Sequence, residues 1–242
     1  MTGGRKIIAI VGGLVVGVLL LGVVGSFVYI HFIEPDAKPE LTFSDASSGS
    51  SSSASSGSSS SSTSAAPLTG IAGTWKVGGA TQVGYRVEET LFGQSNTATG
   101  RTSKVTGSMT IDGTTVTKGG FSVDVSSISS DESQRDGQFR NRIMQTSRFP
   151  TATFELTSPI DIGKVPADKE EIQVEAKGQL TLHGTTKDVT FPLTAKIDGS
   201  TIQVLGQLPV TFADYGISNP SGGPAQVGDT GTLEVLLVFT SG

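Results

Sequence analysis

The chain has 242 residues, a net charge of −5 and no cysteine. The lack of cysteine excludes disulfides, thiol catalysis and thiolate metal sites, and the mild acidity argues against a nucleic-acid partner, which favours a basic face. The length allows one or two domains, and the composition divides it unequally.

Residues 1–6 form a short N-terminus with Arg5 and Lys6. From Ile7 to Ile33 there is no Asp, Glu, Lys or Arg, and nearly every residue is apolar or glycine. That run exceeds the roughly 20 residues a helix needs to cross a bilayer, so 7–33 is predicted to be a single transmembrane helix. It is also longer than the apolar core of a cleavable signal peptide, and no convincing cleavage site follows it. Glu34, Asp36 and Glu40 follow the run with Lys38 as the nearby cation. The positive charge before the run places the N-terminus in the cytoplasm and the remainder outside the cell membrane.

Residues 34–67 are predicted to be a flexible linker, because Ser44 to Ser64 is almost entirely serine with some glycine and alanine. Such a stretch buries too little apolar surface to offset its ordering entropy. Residues 68–242 are of ordinary size for one domain, and they read as all-β through recurrent period-two alternation. Val83, Tyr85 and Val87 share a face, as do Val105, Gly107, Met109 and Ile111, and then Phe121, Val123 and Val125. Ala152, Phe154 and Leu156 follow, and Ile172 to Leu182 is the longest alternating set. Val189 to Ile197 and Ile202 to Phe212 come next, while Val235–Phe239 is apolar on both faces. Asp112-Gly113 and Asp198-Gly199 are hairpin turn signals. About eight antiparallel strands joined in this way suggest an up-and-down barrel, with a sandwich as the other architecture the pattern allows.

One helical insertion is predicted between the strands. Ser129 and Glu132 have capping-box spacing, Phe139 and Ile143 lie four apart on the face toward the barrel, and Pro150 prevents continuation. Late in the chain, Asp214 to Asp229 is rich in Gly, Pro and Ser and reads as a long loop at the barrel mouth.

No catalytic constellation is present. His183 belongs to a hairpin, Glu88 and Glu89 point to opposite faces of a strand, and no nucleophile, base and oxyanion site come together. The expectation is therefore no enzyme, no metal and no cofactor. Arg135-Asp136 reads as a structural pair that fixes the helical insertion. Inward positions mix bulky residues with the small Gly107, Ala152, Ala176 and Gly178, which fits either a ligand cavity or a solid core.

Two phrases carry a resemblance. The first is Arg135-Asp136, then Phe139-Arg140-Asn141-Arg142-Ile143-Met144 and Phe149-Pro150-Thr151-Ala152-Thr153-Phe154. The second is Gly178-Gln179-Leu180-Thr181-Leu182-His183-Gly184-Thr185-Thr186-Lys187, leading into Val189-Thr190-Phe191-Pro192-Leu193. Together they resemble the YceI-like family of lipocalin-like barrels, over roughly Ile71 to Thr240. The resemblance implies an eight-stranded barrel that holds a polyisoprenoid or other long-chain amphipathic lipid. Its cavity candidates here are Tyr85, Val87, Met109, Phe121, Phe154, Ala176, Gly178, Leu180, Phe191 and Phe212. Where family members carry an early histidine-serine pair and a second histidine, this chain reads Thr81-Gln82 and Glu88 or Glu89. The mouth is thereby more acidic, with Arg86 and Arg101 available to offset it. The other functional reading is a noncatalytic structural or stress-related envelope module, with a solid barrel and protein partners. An enzyme acting on lipid is the least favoured.

Overall fold

The alternating runs form strands because their threonine, valine and aromatic side chains suit a pleated surface with one buried face. The structure is a computed structural model that describes residues 37–47, 70–223 and 225–242. The predicted membrane helix at 7–33 and most of the serine-rich stretch lie outside the described residues. No helix among the described residues is long and apolar enough to cross a membrane.

Twelve strands follow a short helix α1 (Phe43–Ser47): β1 (Gly73–Val77), β2 (Gln82–Leu91), β3 (Gln94–Thr102), β4 (Val105–Asp112), β5 (Thr115–Asp124), β6 (Thr151–Leu156), β7 (Ile160–Asp161), β8 (Ile172–Leu182), β9 (Thr185–Asp198), β10 (Thr201–Thr211), β11 (Ala225–Val227) and β12 (Thr230–Ser241). All strand pairs are antiparallel. Strands β1, β4, β5, β6, β8, β9, β10 and β12 form a closed ring, because β1 pairs with both β4 and β12. This is an eight-stranded antiparallel barrel. Closure leaves the ring without an open edge.

The two ends of the barrel differ. At one end, the turns at Gly113 and Gly199 have positive φ, and Ile71, Trp75, Ile111, Ile197, Ile202 and Phe239 pack into a core cluster that closes the interior. At the other end, the β2–β3 hairpin extends past the ring, and β11 pairs along β2. The insertion between β5 and β6 also lies at this end. It contains α2 (Ser133–Gln138), followed by a wide turn over Phe139–Ile143.

Capping differs in detail from the expected Ser129 and Glu132 box. Glu132 itself caps α2 by accepting from the Gln134 amide at 3.3 Å. Asp136 reaches back to Ser130, accepting from its amide and its hydroxyl, both at 2.7 Å. Arg135 pairs with Asp131 at 2.6 Å. The Arg135-Asp136 pair thus fixes the start of the insertion through neighbours on either side.

The stretch expected to be linker also differs. Residues 37–47, within 34–67, pack on the outer wall of the barrel. Leu41 is buried, and α1 touches β10 and β12. This explains why the last strand is apolar on both faces: Leu237 and Phe239 belong to the interior cluster, while Leu236 on the alternate face is buried as well.

Candidate functional site

Among the described residues, a larger and a smaller cavity occupy the barrel interior. The larger, about 1000 Å³, opens at the end carrying the β2–β3 hairpin and the helical insertion. The smaller, about 120 Å³, lies toward the closed end. Phe121, Phe154, Phe191 and Val235 line both and form the partition between them. The three rings pack in sequence, Phe121 to Phe154 at 5.7 Å and Phe154 to Phe191 at 5.5 Å between centroids.

Of the residues picked out from the sequence, Tyr85, Val87, Phe121, Phe154, Leu180, Phe191 and Phe212 line the large cavity. Met109 and Ala176 line the small one, on the other side of the aromatic partition. Gly178 lines neither. It is buried and inward, but a Cβ there would lie 2.4 Å from the Phe154 ring and 2.4 Å from the Glu155 carbonyl. Gly107 likewise faces Phe121, with a Cβ at 2.8 Å from that of the phenylalanine. The space these glycines leave is taken by neighbouring aromatic side chains, so it accommodates the partition rather than a ligand.

Other walls come from residues not among those picked out. Leu208, Val210 and Leu233 line the large cavity from β10 and β12, and Phe139, Ile143 and Met144 line it from the insertion. The inward alternation of Ile202 to Phe212 and the spacing of Phe139 and Ile143 were the sequence signals for most of these. Ile217, Pro220 and Ala225 line the mouth from the 214–229 region. That region is more ordered than the expected loop: a 3-10 turn at Phe212–Tyr215 leads into it, and it contains β11. Arg142 also ties it to the insertion by donating to the Pro220 carbonyl at 3.0 Å.

Polar groups from Glu89, Glu132, Gln134, Arg135, Gln138 and Arg142 line part of this cavity. Glu89 accepts from Asn96 at 2.9 Å and lies 3.9 Å from Arg135. Tyr85 stacks on Phe139 with centroids 4.9 Å apart. Burial pushes the Tyr85 phenol up to about 12, against an opposing pull from the Arg135 charge. The folded chain therefore keeps that proton after the unfolded chain has released it, so stability falls as pH rises from about 10 toward 12. Tyr85→Phe removes this component. Denaturant titrations at pH about 9 and about 11 are expected to show a smaller loss for Tyr85→Phe than for the parent protein.

Arg86 and Arg101 do not offset charge at the mouth. Both turn to the outer wall and bind the two oxygens of Glu234, each at 2.9 Å. Glu88 is exposed and accepts from Thr97. His183 sits in the β8–β9 turn with Nδ1 3.1 Å from the Tyr215 carbonyl and its ring against Phe149. Among the described residues, no group of three or more His, Asp or Glu is placed to hold a metal ion.

A family model for the YceI-like domain matches residues 75–239. Among curated proteins, UPF0312 proteins of Vibrio cholerae are 37% identical over 70 residues, covering 28% of this chain and 33% of theirs. The chain therefore matches only about a third of the length of those relatives. Among solved structures, a polyisoprenoid-binding domain from Saccharophagus degradans, implicated in plant cell wall breakdown, aligns with a TM-score of 0.58 and 18% identity. That alignment covers 71% of this chain and 100% of the domain. Burkholderia cenocepacia BcnA aligns with a TM-score of 0.53 and 20% identity, covering 67% of this chain and 98% of its own. At these identities the two structures establish a shared fold.

Proposed function

Because the chain belongs to the YceI-like family, whose domain spans residues 75–239, we propose that it is a noncatalytic binding protein that holds the apolar chain of a polyisoprenoid, or of another long amphipathic lipid, inside its barrel. The observation that carries this reading is the open cavity of about 1000 Å³. Ligand pockets span roughly 300–1,000 Å³, so this one is at the upper end. Its walls are mostly aliphatic and aromatic, which suits a hydrocarbon chain and gives little purchase to a polar substrate. The likeness to a polyisoprenoid-binding domain supports the same ligand class. The barrel belongs at the outer face of the cell membrane, anchored by the apolar run at 7–33 with Arg5 and Lys6 inside.

A solid barrel that acts only through protein partners fits less well, since protein interiors are close-packed and large voids are rare. Leu208 offers the test. It lines the large cavity and stands clear of the closed-end cluster. Leu208→Trp places an indole in the ligand's volume. Titration with geranylgeraniol is expected to give saturable binding in the parent protein. The variant is expected to bind roughly tenfold more weakly or worse, equivalent to about 1.4 kcal/mol, with its melting temperature retained. Equal binding by both proteins would place the ligand elsewhere.

A further inference from the structure

We propose that residues 37–47 form a clasp that holds the barrel with its open mouth toward the bilayer, so that lipid passes between membrane and cavity without crossing water. The proposal rests on reading 7–33 as a membrane anchor, and it goes further by assigning which end of the barrel meets the membrane.

The clasp is a built contact. The Lys38 carbonyl accepts from Arg86 Nη2 at 2.7 Å, and the Pro39 carbonyl accepts from Arg101 Nη2. Gln207 donates to Glu40 at 3.1 Å. Leu41 is only 3% exposed, and the Lys196 ammonium lies 4.5 Å from the centre of the Phe43 ring. Glu234, with no exposed surface, fixes both arginines from below.

The direction of the clasp follows from the sheet register. Arg86 pairs with Thr232, near the mouth end of β12. Lys196 pairs with Gln203, which pairs with Val238 near the closed end. The chain thus starts on the mouth side of the wall and descends toward the closed end. Only residues 34–36 separate Ile33, the end of the apolar run, from Ala37. Three extended residues reach at most about 11 Å. From Arg86 to the tip at Leu91, β2 rises roughly 16 Å, so the mouth is the end of the barrel nearer to where the chain enters the wall. A barrel facing the other way would need the chain to travel down its whole wall before reaching the membrane.

Two further features agree. Phe92, at the tip of the β2–β3 hairpin and on the rim of the large cavity, is 53% exposed. A large apolar side chain held out at the rim suits a lipid surface better than water. At the opposite end, Ile71 belongs to the closed-end cluster.

The absence of native cysteine makes the test direct. Ser95→Cys, beside the β2–β3 turn, and Ser200→Cys, in the β9–β10 turn, place single labels at exposed sites on opposite ends. The full chain is reconstituted in lipid nanodiscs containing nitroxide-bearing phospholipid, and quenching of a fluorophore at each site is measured. Several-fold stronger quenching at Ser95 is expected, and the contrast is expected to disappear when Leu41→Asp and Phe43→Ala detach the clasp from a barrel that still binds geranylgeraniol. Equal quenching or stronger quenching at Ser200 overturns the orientation, and a contrast that survives detachment overturns the clasp as its cause. A chain that fails to enter the nanodiscs overturns the anchor reading and this proposal together, and that failure is seen before any label is read.

Discussion

Glu234→Ala is expected to destabilise the protein by about 3–5 kcal/mol, the range for breaking a buried ionic group by removing one partner. The carboxylate has no exposed surface, and each of its oxygens meets a separate guanidinium at 2.9 Å. Without it, Arg86 and Arg101 stay beside each other under residues 37–47 with their charge uncompensated. Both also donate to carbonyls of that segment, so the same substitution is expected to expose 37–47 to protease. Urea denaturation and limited proteolysis of the full chain read the two effects. A loss below about 1 kcal/mol would mean that solvent reaches these arginines and the ion pairs behave as surface pairs.

Phe154→Ala is expected to produce a loss of similar size, about 3–5 kcal/mol, for a different reason. Phe154 is the middle ring of the partition, between Phe121 and Phe191, and it fills the space above Gly178. Removing it leaves a void between the two cavities. The variant is thus expected to be less stable yet to accept a longer chain, since the small cavity becomes continuous with the large one. Thermal unfolding gives the first quantity, and a comparison of isoprenoid alcohols of increasing length gives the second. Unchanged length preference would show that the partition does not set the depth of the site.

These two residues mark where sequence reasoning succeeded and where it stopped. Alternation assigns a side chain to a face, so the inward sets through Tyr85, Phe121, Phe154 and Leu180 could be read directly. Alternation does not assign height along the barrel. Met109 and Ala176 share the inward face with the other candidates, yet they lie beyond the aromatic partition. Gly178 shows a related limit: its small size is answered by a ring on the adjacent strand, which pairs with it through Leu156. Such compensation is a property of two strands and cannot be seen in one.

The outer wall was less legible. Arg86 and Arg101 are expected at the mouth as an offset to Glu88 or Glu89, but their partner is 148 and 133 residues away. The signal for that wall was present in the two-faced apolar run Val235–Phe239. A strand at the surface of a barrel that buries both faces needs something to cover the outer one, and the covering segment was hidden by composition, since its neighbours are serine-rich. By contrast, the turns at Gly113 and Gly199 were legible because both lie in a positive-φ conformation that glycine adopts without strain.

Lipid occupancy of the large cavity is read by native mass spectrometry of the full chain, released from mild detergent in the gas phase. A bound species of lipid mass is expected in the parent protein, yielding a long-chain fragment on activation and strongly depleted in Leu208→Trp. A parent protein free of bound lipid, or a bound species retained equally by Leu208→Trp, would contradict it.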